Sequence, residues 1–124
     1  MDKIIYAGIG GFIGSIGRYL AQGMIHRWMG SSFPYGTVAV NIIGCFLIGL
    51  IMTFAEERFI MNQNLRIFLT VGILGGFTTF SSFSFESFSL LQQREYLFFT
   101  FNAGGSVVLG LAATWLGVAT ARLF

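Results

Sequence analysis

Charge is scarce in this chain. Of 124 residues only seven are Lys or Arg and five are Asp or Glu, while 55% are hydrophobic and the mean hydropathy is +0.77. A soluble domain covers its surface with far more charge, so this balance excludes one and requires an integral membrane protein. Cysteine occurs once, as Cys45 inside an apolar stretch. No intrachain disulfide is available to it, and it reads as a small buried hydrophobe. Basic runs are absent despite a net charge of +2, which argues against nucleic-acid binding. A dinucleotide fingerprint is also missing. Gly8-Ile9-Gly10-Gly11 begins like one, but Ile13 stands where the third glycine belongs and no strand precedes it. A secretory cleavage pattern is lacking too, so the first apolar stretch is read as a retained helix.

What is present is four membrane-length apolar segments, over about residues 4–25, 36–55, 65–91 and 96–121, in a single four-helix membrane domain covering 1–124. Trp28 reads as an interface anchor after the first. The turn cluster of residues 30–36 holds the only proline, Pro34, where a helix can begin. The third segment, at about 27 residues, would be roughly 40 Å long as one helix, longer than the hydrocarbon core. It has room for a central break. An even number of spans puts both termini on one side with Lys3, Arg58, Arg66 and Arg122, against Arg27 and Arg94 on the other. So small a bias leaves two possibilities open, a single topology with the termini inside or insertion in both orientations.

Small residues point to close helix contacts: Gly10 and Gly14 form a GxxxG pair, and Ala113, Gly117 and Ala121 repeat at four-residue spacing. Intramembrane polar residues mark the functional face, since lipid does not tolerate them cheaply. Asn41 lies well inside the second span with Thr37 one turn before it, and Ser106, Gly110 and Thr114 repeat along the fourth. Hydroxyls are ambiguous, because Ser and Thr often bond their own helix backbone. The most informative stretch is Gly75-Gly76-Phe77-Thr78-Thr79-Phe80-Ser81-Ser82-Phe83-Ser84, where glycines and hydroxyls interrupt the third span. Non-helical backbone at membrane depth survives only against protein or a watery cavity, so the run is expected to break the helix at a transport site or a subunit contact. Phe77, Phe80 and Phe83 recur every three residues. They serve either as ordinary packing or as ring edges that stabilise a small dehydrated anion without a trapping charge. Four helices enclose too little space for a pore, which implies an oligomer.

These residues resemble a family of small bacterial fluoride channels, Fluc or CrcB, over essentially the whole chain. The carriers are Gly11-x-x-Gly14-x-x-x-Arg18-Tyr19, Gly36-Thr37-x-x-x-Asn41-x-x-Gly44 and the run from Gly75 to Glu86. The resemblance implies an all-α membrane protein of the bacterial cytoplasmic membrane, whose subunits have four helices with the third broken centrally. They assemble as an antiparallel, dual-topology homodimer with two pores. It implies that Asn41, Phe80 and Phe83 contact fluoride, that Thr37, Ser81 and Thr114 form a polar track, and that Arg18 lies toward an aqueous vestibule. It also implies a structural sodium ion at the dimer centre on the backbone carbonyls of Gly75 and Thr78. On the residues alone, a dry break whose carbonyls bond the Thr79 or Ser82 hydroxyls is the alternative.

The implied activity is passive export of fluoride, conferring fluoride resistance, with no enzymatic step. Two rivals stand beside it. A proton-coupled exporter of the small multidrug-resistance type needs an acid in its first span, which here carries Arg18 instead. A noncatalytic packing subunit would explain the glycines but leaves Asn41, Ser81 and Thr114 without a purpose. Glu86, the one acid at possible membrane depth, either tunes the pore end or caps the third span.

Overall fold

The computed structural model describes residues 1–58 and 61–124, and the chain is helical nearly throughout. Helix α1 spans Asp2–Met29 and closes on Gly30, whose φ of 85° a side chain would strain and whose N–H bonds the His26 carbonyl. Helix α2 covers Tyr35–Glu57 directly after Pro34, whose missing N–H is no loss at a helix start. Helix α3 occupies 63–77 and is capped by Asn62, which accepts the Leu65 N–H at 2.8 Å. Two extended residues lead into α4, Phe80–Gln92, and α5 covers Tyr96–Arg122. Among the described residues four segments are therefore long and apolar enough to cross a membrane, Gln63–Gln92 counting as one.

Glycine decides how these helices pair. Hydrocarbon supplies no hydrophobic drive between helices, so association rests on close van der Waals contact. A Cβ on Gly10 would stand 2.5 Å from the Phe68 carbonyl oxygen and 2.8 Å from Gly72 Cα, and one on Gly14 would overlap the Ile73 carbonyl. The backbones of α1 and α3 thus touch along the GxxxG edge, where Phe68–Leu74 takes a wider π-helical form. A second pair joins α2 to α5. Gly49 lies against the Thr114 carbonyl and Gly117 against the Phe46 carbonyl, with Ala113 and Ala121 buried on the same stripe. Both expected small-residue edges are helix contacts.

At the end of the bundle that holds the termini, Arg122 pairs with Glu57 at 2.9 Å, and Arg58 donates to the Phe124 and Arg122 carbonyls at 3.0 Å. This clasp joins α2 to α5. Because it is exposed, it adds little to stability beyond fixing how the two helix ends meet.

The break of the third span lies at Thr78 and Thr79, both extended at φ/ψ of −94°/157° and −150°/120°. It does not lie at the glycines. Gly75 and Gly76 are helical, and Gly76 is small because a Cβ there would sit 2.7 Å from the Gly11 carbonyl oxygen. Extended backbone is open to any residue, so two threonines can carry the break while the glycines serve packing.

Candidate functional site

Where a chain leaves the helix inside a membrane, every freed N–H and C=O needs a partner. At this break several are supplied by side chains. Thr78 bonds back to the Leu74 carbonyl with its N–H at 3.0 Å and its hydroxyl at 2.9 Å. Thr79 caps α4 by accepting the Ser82 N–H on its Oγ1 at 3.2 Å. Asn41, reaching across from α2, accepts the Thr79 N–H on Oδ1 at 2.8 Å and donates from Nδ2 to the Thr79 carbonyl at 3.1 Å. Arg18 donates from Nε to the Gly76 carbonyl at 3.0 Å. Arg18 is thereby fastened to the break by one nitrogen.

Beside this bracket an open cavity of about 270 Å³ is lined by Asn41, Cys45, Thr78, Thr79, Phe80, Phe83, Ser106 and Val107. No charged side chain among the described residues lines it. The rings of Phe80 and Phe83 stand 5.7 Å apart between centroids, tilted by 45°. Asn41 spends one amide N–H on Thr79 and keeps a second, which is a donor in a mostly apolar space. A neutral donor with aromatic neighbours can hold a small anion briefly, whereas a lysine or arginine would retain it.

The structure gathers Asn41, Phe80 and Phe83 at one place and leaves the other expected pore residues around it. Thr37 is buried one turn before Asn41, and its Oγ1 accepts from Gln22 Nε2 at 3.0 Å. Ser81 is exposed, with its Oγ 3.4 Å from Thr79 Oγ1. Thr114 donates to the Cys45 carbonyl at 3.1 Å, so its proton is spent against α2. Of the stripe on α5, only Ser106 reaches the cavity, and its Oγ is buried with no partner among the described residues. Gly75 and Thr78 border a second cavity of about 180 Å³ with Gly44, Cys45, Ile48, Thr70 and Leu74. Cys45 and Thr78 form part of the wall of both.

Two features escaped the sequence reading. Gln22 lies near the end of an ordinary-looking first span and shows its importance only through its bond to Thr37. Asn102 is fully buried in the π-helical stretch Phe101–Gly105 and donates to Ser87 Oγ at 2.7 Å, tying α5 to α4. The rule that singled out Asn41, an amide deep in an apolar span, would have found it. Because an orphaned buried polar group costs about 1–3 kcal/mol, Asn102→Leu is expected to destabilise the protein by that order. Combining it with Ser87→Ala should cost less than the sum of the two single changes. Thermal unfolding of the three variants in detergent measures this coupling.

Comparison with known proteins agrees with the geometry. The family model described as "CrcB-like protein, Camphor Resistance (CrcB)" matches residues 5–118. The chain belongs to the CrcB family. Among its relatives it is 49% identical to the "Fluoride-specific ion channel FluC" of Geotalea daltonii and 48% identical to that of Geobacter metallireducens, in each case over 98% of both chains. It is 43% identical to the protein of the same name from Nitratidesulfovibrio vulgaris over 99% of both chains. With four membrane-length segments and this membership, the chain is a multi-pass bacterial membrane protein.

Proposed function

We infer that this chain is a passive fluoride channel that lets cytoplasmic fluoride leave the cell down its electrochemical gradient. The observation that carries the reading is the uncharged cavity in which the Asn41 amide stands beside Phe80 and Phe83. The names of the full-length relatives supply the ion. Hydrogen fluoride is a neutral weak acid that crosses lipid, dissociates in a less acidic cytoplasm and leaves the anion trapped. An anion pore empties that trap. An inside-negative potential favours outward movement by about 2.3 kcal/mol per charge per 100 mV, so no fuel or coupled gradient is needed.

In this reading the second N–H of Asn41 donates to the permeating ion, and Phe80 and Phe83 offer ring edges. Ser81 and the Gln22-oriented Thr37 extend the polar track, and the free guanidinium nitrogens of Arg18 raise anion concentration at the vestibule. Thr114 joins the track only by releasing the Cys45 carbonyl.

The working unit in this proposal is an antiparallel homodimer in the bilayer. One subunit leaves the cavity open and Phe80 79% exposed, and a second copy would close the one and cover the other. The slight charge bias between the two ends supports insertion both ways.

The break also suits a structural sodium ion. The N–H groups that a continuous helix would donate to the Gly75 and Thr78 carbonyls go instead to Asn41 and to the Thr79 hydroxyl, and no carboxylate among the described residues lines the cavity beside them. Neutral oxygen dipoles fit a hard monovalent cation better than a divalent one, which carboxylates normally neutralise. Bound there, the ion would stand in for the donors these two oxygens lose at the break.

Liposomes loaded with potassium fluoride and reconstituted with the purified protein test the function. With valinomycin carrying potassium, fluoride should leave without ATP or a proton gradient. Proton-dependent exchange of a cationic drug in place of fluoride flux would move the chain to the exporter class. Neither activity would leave it a packing subunit.

A further inference from the structure

The break in the third span is held open by hydrogen bonds that have been diverted from the helix. In a continuous helix the Thr79 N–H is donated to the Gly75 carbonyl, and the Ser82 N–H to the Thr78 carbonyl. Here the first goes to Asn41 Oδ1 at 2.8 Å and the second to Thr79 Oγ1 at 3.2 Å. The neighbouring carbonyls are provided for: Leu74 takes the two Thr78 donors, Gly76 takes Arg18 and Thr79 takes Asn41 Nδ2. Gly75 and Thr78 thereby lose the donors that a continuous helix would give them.

We propose that Asn41 is the positioning residue of the cation site: by capturing both polar groups of Thr79 it keeps the Gly75 carbonyl free for a monovalent cation. The same side chain then presents its remaining N–H to the anion path. One amide builds both sites. Their placement fits this, since the cavity holding Asn41 and the cavity holding Gly75 share Thr78 and Cys45 as a common wall. Thr79 plays the parallel part for the Thr78 carbonyl through its cap on Ser82. The proposal rests on the reading of Gly75 and Thr78 as cation ligands, and it adds what keeps those oxygens available.

The two faces of the amide can be separated by substitution. Asn41→Leu has similar bulk and no polar atom, so Thr79 loses its bracket and its N–H can return to Gly75. Asn41→Asp differs in kind. A neutral carboxyl, the form that avoids a charge in hydrocarbon, has one O–H for the Thr79 carbonyl and one oxygen for the Thr79 N–H. It reproduces the bracket and lacks the second N–H.

The test follows the thermal unfolding of purified full-length protein in detergent as sodium replaces N-methylglucamine, with thallium titration as an independent probe of occupancy. The wild type should be stabilised by sodium. The Asn41→Leu protein should need about tenfold more sodium or thallium, the change that follows from losing one well-made hydrogen bond. The Asn41→Asp protein should keep a sodium midpoint near the wild-type value while passing no fluoride. Thr79→Val, which removes the cap on Ser82 and the hydroxyl contact with Ser81 but leaves the Asn41 bracket on the Thr79 backbone, should raise the midpoint severalfold, so the link is still measured if the leucine variant aggregates.

A folded Asn41→Leu protein with the wild-type midpoint would overturn the link and leave the cation site standing. Loss of the sodium response in folded Asn41→Asp, or an unchanged midpoint in Thr79→Val, would overturn it equally. A wild type that responds to neither sodium nor thallium removes the cation reading itself, and this inference with it.

Discussion

Fluoride will leave liposomes carrying the Phe83→Ile variant at least about tenfold more slowly than wild-type liposomes, a loss that corresponds to about 1.4 kcal/mol at the barrier. The expectation comes from what the ring supplies. Phe83 lines the cavity beside Asn41 and stands 5.7 Å from Phe80, so its ring borders the space an anion would occupy. A phenyl edge carries partial positive charge, and a branched alkyl group carries none. Isoleucine is still apolar and bulky, and Phe83 is only partly buried, so the substitution leaves the helix contacts of α4 with α5 in place. A fluoride electrode reads the flux, and gel filtration reads assembly. Wild-type flux through a well-assembled Phe83→Ile protein would mean that the rings merely pack and that the amide alone handles the ion.

The contrast between Phe83 and Thr114 shows how far the sequence carried this site. Apolar length, the GxxxG edge and the paucity of charge made the four helices and their close pairing legible, because those properties follow from local composition and from the bilayer as solvent. Asn41, Phe80 and Phe83 were legible as candidates for a related reason, since an amide at membrane depth is costly without a partner and rings spaced by three share a helix face, and the structure brings the three to one cavity. Hydroxyls carry no such restriction. Thr37, Ser81 and Thr114 look alike in sequence, yet one is oriented by Gln22, one is exposed and one is bonded to the α2 backbone at Cys45. Which of these applies depends on the partner helix, and that is information about tertiary contacts.

The location of the break illustrates a second limit. Glycine in the third span signals either loose backbone or close approach, and sequence alone does not separate them. Here Gly72 and Gly76 serve close approach to α1, while the interruption falls two residues beyond Gly76, at Thr78. At that point Asn41, 38 residues away along the chain, holds both polar groups of the Thr79 backbone. A long-range hydrogen bond of this kind leaves no trace in local propensity.

The largest effect on the fold itself should come from a single methyl group. Gly14 is buried, and a Cβ placed on it would overlap the carbonyl oxygen of Ile73, with the Ile73 Cα 3.1 Å away. Both opposing atoms are backbone, in the π-helical stretch, so no side chain can rotate to make room. Overpacking a well-fitted contact costs about 1–3 kcal/mol when side chains can shift, and a clash against main chain lies at or beyond the upper end of that range. Parting α1 from α3 would also draw Arg18 off the Gly76 carbonyl, because Arg18 follows Gly14 by one helical turn. Gly14→Ala is therefore expected to lose most folded protein on extraction into mild detergent. Gly8→Ala, in the same helix with nothing within 4 Å of the added carbon, should be neutral or gain about 0.5–1 kcal/mol from better helix propensity. Yields of monodisperse protein and unfolding temperatures for the two variants compare them directly. If Gly14→Ala folds as well as Gly8→Ala, then the backbone contact between α1 and α3 is not what holds the first and third spans together.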